Sequence, residues 1–196
     1  MTTPNTTSFD IFGITANADG TYTLGVKTGN QNVVIPIPLP VLLNVLPASV
    51  FNVSNNALTI STSAYSANTQ LGGILTFAGA AASAGAGGTI QSVVVTDSDN
   101  IKAGFDLFLF QSMPASPPGD TSSFTLDAAD LLKVFAVIPV TTGNYISMAS
   151  GGAIASLPVT YPFISVDTNL YGLLMGTGTP TYVHADALNI RLGIKQ

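Results

Sequence analysis

With one histidine, no cysteine and no glutamate in 196 residues, this chain has a short inventory of side chains able to do chemistry. His184 lies in PTYVHADAL beside Asp186. A catalytic triad or an imidazole-based metal cluster would have to centre on it, with aspartates replacing further histidines. The spacing instead suits an exposed turn between two strands, where a surface histidine hydrogen-bonds a near neighbour. No GxSxG or comparable turn marks a nucleophilic serine. The run DSDN, residues 97–100, offers Asp97, Asp99 and Asn100 as oxygen ligands, as at the start of a calcium loop. It lacks the later glycine and the bidentate glutamate, so an Asx turn after a strand is the commoner reading. Asp106 stands on an otherwise apolar face of GFDLFLFQ, and a buried carboxylate needs a partner. Arg191 in LNIRLGIK is the most economical one, and the expected purpose of the pair is register rather than catalysis. No residue is assigned a catalytic, cofactor-binding or metal-binding role, and the chain reads as no enzyme.

The elements that would position these residues are strands. Runs rich in Val, Ile, Phe, Tyr and Thr recur between clusters of Gly, Pro, Asn, Asp and Ser. They predict strands over 8–15, 21–28, 32–37, 57–62, 73–79, 89–97, 104–111, 134–140, 145–150, 163–167, 170–177 and 188–195. Asp19 and Gly20 in ANADG mark a hairpin between the first two, and TGNQN joins the second to the third. One segment reads as helix, 125–135, with Thr125 or Asp127 as cap, Asp130 near its positive end and Lys133 following. LPVLLNVLP is a weaker helical candidate, limited to two turns by its prolines. The small-residue run 78–88 and the Pro/Ser-rich run 112–123 read as loops, and neither is a phosphate loop.

In KAGFDLFLFQ, residues 102–111, alternation puts Phe105, Leu107 and Leu109 on one face and Asp106, Phe108 and Phe110 on the other. Both faces are greasy, so something must cover the second, either an opposing sheet or a neighbouring subunit. Charged residues make up only 8% of the chain against about 25% in ordinary domains, which points to surface hidden against copies of itself or another protein. The absence of glutamate argues against a helical protein. A net charge of −5 with no basic cluster excludes nucleic acid as the expected partner. The greasiest runs, VIPIPLPVLL and VFAVIPV, are short and carry prolines, so no membrane-spanning helix is expected. MTTPNTTSFD has no basic start and no apolar core, so no secretory signal is expected either.

In GGILTFAGAAASAG, GFDLFLF and LYGLLMGTGTPTYVHADALNIRLGI the chain resembles a family of small structural proteins in the virions of tailed bacteriophages. The ordered motifs fall at Gly72–Phe77, Asp106–Phe110, Leu170–Gly172, Pro180–Tyr182 and Leu188–Leu192, and the likeness covers roughly residues 71–196. The strand pattern makes the chain all-β with one short helix, and the resemblance implies an antiparallel β-sandwich of jelly-roll type over 71–196; residues 1–70 lie outside the likeness, depart from it, and read as an N-terminal β arm. It implies a capsid cement or decoration protein that binds the major capsid protein at subunit junctions on the virion surface, made in the bacterial host cytoplasm. The alternatives are a tail, connector or fibre component, or a carbohydrate-binding module using Tyr65, Tyr145, Tyr161 or Tyr182. A homo-oligomer is expected, a trimer ahead of a dimer, with no cofactor, no metal, no nucleic acid and no membrane.

Overall fold

Alternation of β-branched and aromatic residues with turn residues gives a chain of twelve described strands and one short helix, in a computed structural model. It describes residues 10–16, 22–28, 31–37, 50–55, 58–149 and 151–196. Contacts divide the chain into two units, 1–48 and 49–196. In the first, β1 (Asp10–Ala16), β2 (Tyr22–Thr28) and β3 (Gln31–Ile37) form an antiparallel meander in the order β1-β2-β3. The expected helical candidate at 39–47 lies outside the described residues. Residues 49–70, placed with the arm on sequence grounds, belong to the second unit: Val53, Leu58, Ile60 and Tyr65 are part of its core.

The second unit holds two antiparallel sheets. One has five strands in the order β4-β12-β6-β10-β9: β4 (Val50–Asn55), β6 (Gly87–Asp97), β9 (Tyr145–Ser147), β10 (Ala153–Ile164) and β12 (Leu188–Lys195). The other has four in the order β5-β11-β7-β8: β5 (Leu75–Phe77), β7 (Phe105–Phe110), β8 (Val134–Val140) and β11 (Leu170–Gly176). Their inner faces close on one core, in which Ile90, Val93, Val95, Leu192 and Ile194 of the first sheet join Phe77, Phe105, Leu107, Leu109 and Ile138 of the second. At about 25 cal/mol per Å² of apolar surface removed from water, this shared core is the dominant stabilising term.

The second face of β7 is covered by neither of the expected partners. Phe110, Tyr171 and Leu173 form a separate buried cluster on the outer side of the four-stranded sheet. Ile74, Phe108, Phe124, Leu126 and Val134 pack against it. The rings of Phe108 and Phe124 are 4.8 Å apart. The excursion after β7 thus folds back over its own strand, adding a third layer. This also explains why β11 is buried at almost every position: both its faces are covered.

Three element assignments differ from expectation. The helix expected over 125–135 shrinks to α1 (Ala128–Leu131), because the β-branched run from Val134 is taken by β8. Asp127 does cap it, accepting a hydrogen bond from Asp130 N at 2.7 Å. The strand expected over 57–62 is displaced to β4, and residues 58–62 are irregular. The strand expected at 163–167 is the end of the twelve-residue β10. Pro158 and Pro162 hid its length, since proline cannot donate to a ladder. They sit beyond Ala155, where the pairing with β9 has stopped and β10 is an edge.

The loop at 78–86 is tied down within the chain. Ala81 N donates to Thr168 O and Gly85 N to Ser165 O, while Ala80 and Ala81 are buried. Side chains no larger than a methyl let the backbone approach the sheet here.

Candidate functional site at the loop-bearing end

Two segments singled out in the sequence as separate candidates meet at one end of the second unit. The first leaves β6 at Asp97, whose buried carboxylate accepts from Asp99 N at 3.0 Å and from Lys102 N at 2.7 Å. The first of these bonds is the Asx turn expected for DSDN. Asn100 (φ 57°) and Lys102 (φ 56°) adopt left-handed conformations that bring the loop back towards β7. Burial, only partly offset by these backbone donors, pushes the Asp97 carboxyl above its usual pKa. The carboxylate oxygens of Asp97 are thereby spent on the loop itself. Among the described residues no group of three or more His, Asp or Glu side chains is placed to hold a metal.

The second segment, between β11 and β12, brings His184 to this loop. Its partner is not the adjacent Asp186 but Asp99, whose carboxylate accepts from Val183 N at 2.6 Å and His184 N at 2.9 Å and contacts His184 Nδ1 at 2.5 Å. The Asp99 side chain is 3% exposed and that of His184 is 66% exposed. The hydrogen bond and charge of Asp99 raise the pKa of His184, and Asp186 adds to this. Burial raises the Asp99 carboxyl, but the His184 and Val183 donors outweigh it and hold the group below the usual range. Sequence reasoning identified both residues and missed the pairing, because 85 residues separate them.

Beneath these loops lie three buried tyrosines. Tyr145 Oη donates to Ala103 O at 3.1 Å, and Tyr65 Oη donates to Asp120 Oδ1 at 2.7 Å. Tyr65 and Tyr182 meet edge to face at 6.4 Å. Burial raises the pKa of all three hydroxyls. Three of the four tyrosines nominated as sugar-stacking platforms are therefore core residues, and only Tyr161 is partly exposed. Two shallow grooves flank the loops. One, of about 340 Å³, runs between Asp97, Met148, Ile154 and Asp186; the other, of about 370 Å³, runs between Lys102, Thr142, Thr179 and Thr181.

The expected Asp106–Arg191 pair does not form. Asp106 lies on β7, opposite Met175 of β11 and Pro139 of β8, whereas Arg191 lies on β12 in the other sheet with its side chain exposed. Asp106 itself is only half-buried, so the desolvation that called for a partner is not incurred. A buried carboxylate that does take a cationic partner is Asp130. It accepts from Ala115 N at 2.8 Å, Ser116 N at 2.9 Å and Lys133 Nζ at 2.7 Å. The signal for it was the Asp-x-x-Lys spacing, which places the two side chains one helical turn apart.

Compared with protein-family profiles, curated proteins and solved structures, the chain finds no match.

Proposed function

We propose that this chain is a virion structural protein of the cement or decoration type, binding at junctions between major capsid protein subunits as a homo-oligomer, a trimer ahead of a dimer. The observation that carries the reading is the strand order. Setting aside the short β9, the sheets run β4-β12-β6-β10 and β5-β11-β7-β8, so that consecutive strands mostly alternate between layers. That order supports reading the unit as a jelly-roll sandwich, an architecture typical of viral capsid and lectin domains. Fold alone does not name a function, so the surface must decide between them. The lectin alternative is weakened by the burial of Tyr65, Tyr145 and Tyr182, which removes most of the aromatic platform a sugar would stack on.

A charge content of 8% and exposed apolar side chains such as Leu132, Ile146, Ile164 and Val183 suit a protein whose work is packing against neighbours. Many copies, each making modest contacts, add up to a strong lattice. The test is binding of the purified chain to shells assembled from the major capsid protein of the virus that encodes it. Saturable binding at a stoichiometry fixed by the shell supports the reading, and deleting residues 1–20 should weaken it. Particles carrying only a few copies would indicate a tail or fibre position. Absence of the chain from purified particles would overturn the virion reading altogether.

A further inference from the structure

We propose that Asp99 and His184 form a proton-operated clamp joining the β6–β7 loop to the β11–β12 loop. One shielded carboxylate receives two backbone donors and one imidazole from the opposite loop, at 2.6, 2.9 and 2.5 Å. The imidazole itself is open to solvent, so protons reach it freely while the charge that senses them stays out of water. Both loops are crossings between the two sheets, since β6 and β12 belong to one and β7 and β11 to the other. The clamp therefore ties two crossings at one end of the unit.

The groups around it are almost all acidic. Asp97 accepts from Asp99 N, Asp186 lies two residues beyond His184, and both Asp97 and Asp99 act on the buried Tyr182 hydroxyl. Lys102 approaches through its backbone N–H to Asp97. Asp99 and Asp186 both favour the imidazolium, which places the folded pKa of His184 above the ordinary 6.5. The charge-assisted part of the clamp is then fully present below 6.5 and fades as pH rises through the folded value. The two backbone donors do not titrate as the imidazole loses its proton, so the clamp loosens without opening. Because the chain has no second histidine, no other imidazole titrates between about pH 5 and 8.

The test uses the full chain as wild type, H184Q and D99N. Proton NMR of the lone imidazole should give a midpoint above 6.5 in the wild type and a lower one in D99N. Amide exchange, corrected for intrinsic rate, should show Val183 and His184 protected several-fold more at about pH 6 than at about pH 8.5 in the wild type, with this ratio lost in H184Q. Taking the difference between wild type and H184Q removes the titration of Asp97 and of the α-amino group. His184 is exposed, so H184Q folds whether or not D99N does. A wild-type midpoint at or below that of free histidine, a midpoint unmoved in D99N, or a protection ratio equal in wild type and H184Q would each overturn the clamp.

Discussion

Asp130 has lost its water and gained three donors, so its chemistry is decided by the fold rather than by solvent. The hydrogen bond from Lys133, with the Ala115 and Ser116 amides helping against burial, holds its pKa down to about 2 from the usual 3.8. Its contribution to stability is therefore fully present above 3.8 and is lost as pH falls towards 2. D130N should lower stability by about 3 kcal/mol near neutrality, since a partly exposed ammonium and two amides lose the charge of their buried acceptor. Urea midpoints of the two proteins should converge as pH is lowered through this window; a constant gap would mean that the carboxylate's charge is not what matters. Gly72 makes a second demand that only its own type meets. Its φ is +68°, and an added Cβ would lie 2.4 Å from Leu58 Cδ1 and 2.9 Å from Thr59 O. Gly72→Ala should cost about 2 kcal/mol, from left-handed strain together with the clash, measured as a drop in thermal midpoint. A neutral effect would show that the 58–60 segment gives way. At this scale the sequence revealed which residues carry unusual chemistry, and not whom they meet: Asp99 and His184 are far apart in the chain, and only the sheet crossings join them.

Elements were legible where the hydrophobic period ran undisturbed, as in β8 and β12, whose ends fall where the alternation ends. They were misread where local and tertiary demands diverge. The cap at Asp127 is genuine, yet Leu131 and Leu132 point into solvent, so the helix has no apolar stripe to extend it past one turn. In β10 the prolines argue against a strand locally and protect an open edge globally. The second face of β7 shows the same tension. Its greasiness was plain, but the cover proved to be the chain's own segment just beyond the Pro/Ser-rich run, through Phe124 and Leu126. Phe124→Ala should uncover Phe108 and cost about 2 kcal/mol, since the site is half-buried and the loop can partly collapse. The urea midpoint should fall with little change in slope, while far-ultraviolet dichroism stays the same because no strand pairing depends on this ring. A loss of β signal would instead make the excursion part of the sheet's own stability.

For the whole molecule, the division at residues 48 and 49 is the feature with the clearest consequence. The described strands β1, β2 and β3 pair only with one another, and every described strand of the two larger sheets lies at or beyond Val50. Both hydrophobic clusters draw their described members from residue 53 onwards. Cutting the chain at the boundary therefore breaks no described strand pairing. The main entropy cost of ordering the two-sheet unit is met by contacts that the cut leaves intact. Residues 49–196 alone should unfold cooperatively, with a thermal midpoint within a few degrees of the full chain and the same near-ultraviolet dichroism from the buried tyrosines. If the cement reading is right, the same fragment should bind shells more weakly than the full chain, so that stability and attachment separate. A fragment that melts without cooperativity would show that the first unit completes the core of the second. A fragment that is stable and binds undiminished would move the attachment surface onto the two-sheet unit itself, with the exposed Ile146, Met148 and Val183 at its loop-bearing end the next residues to change.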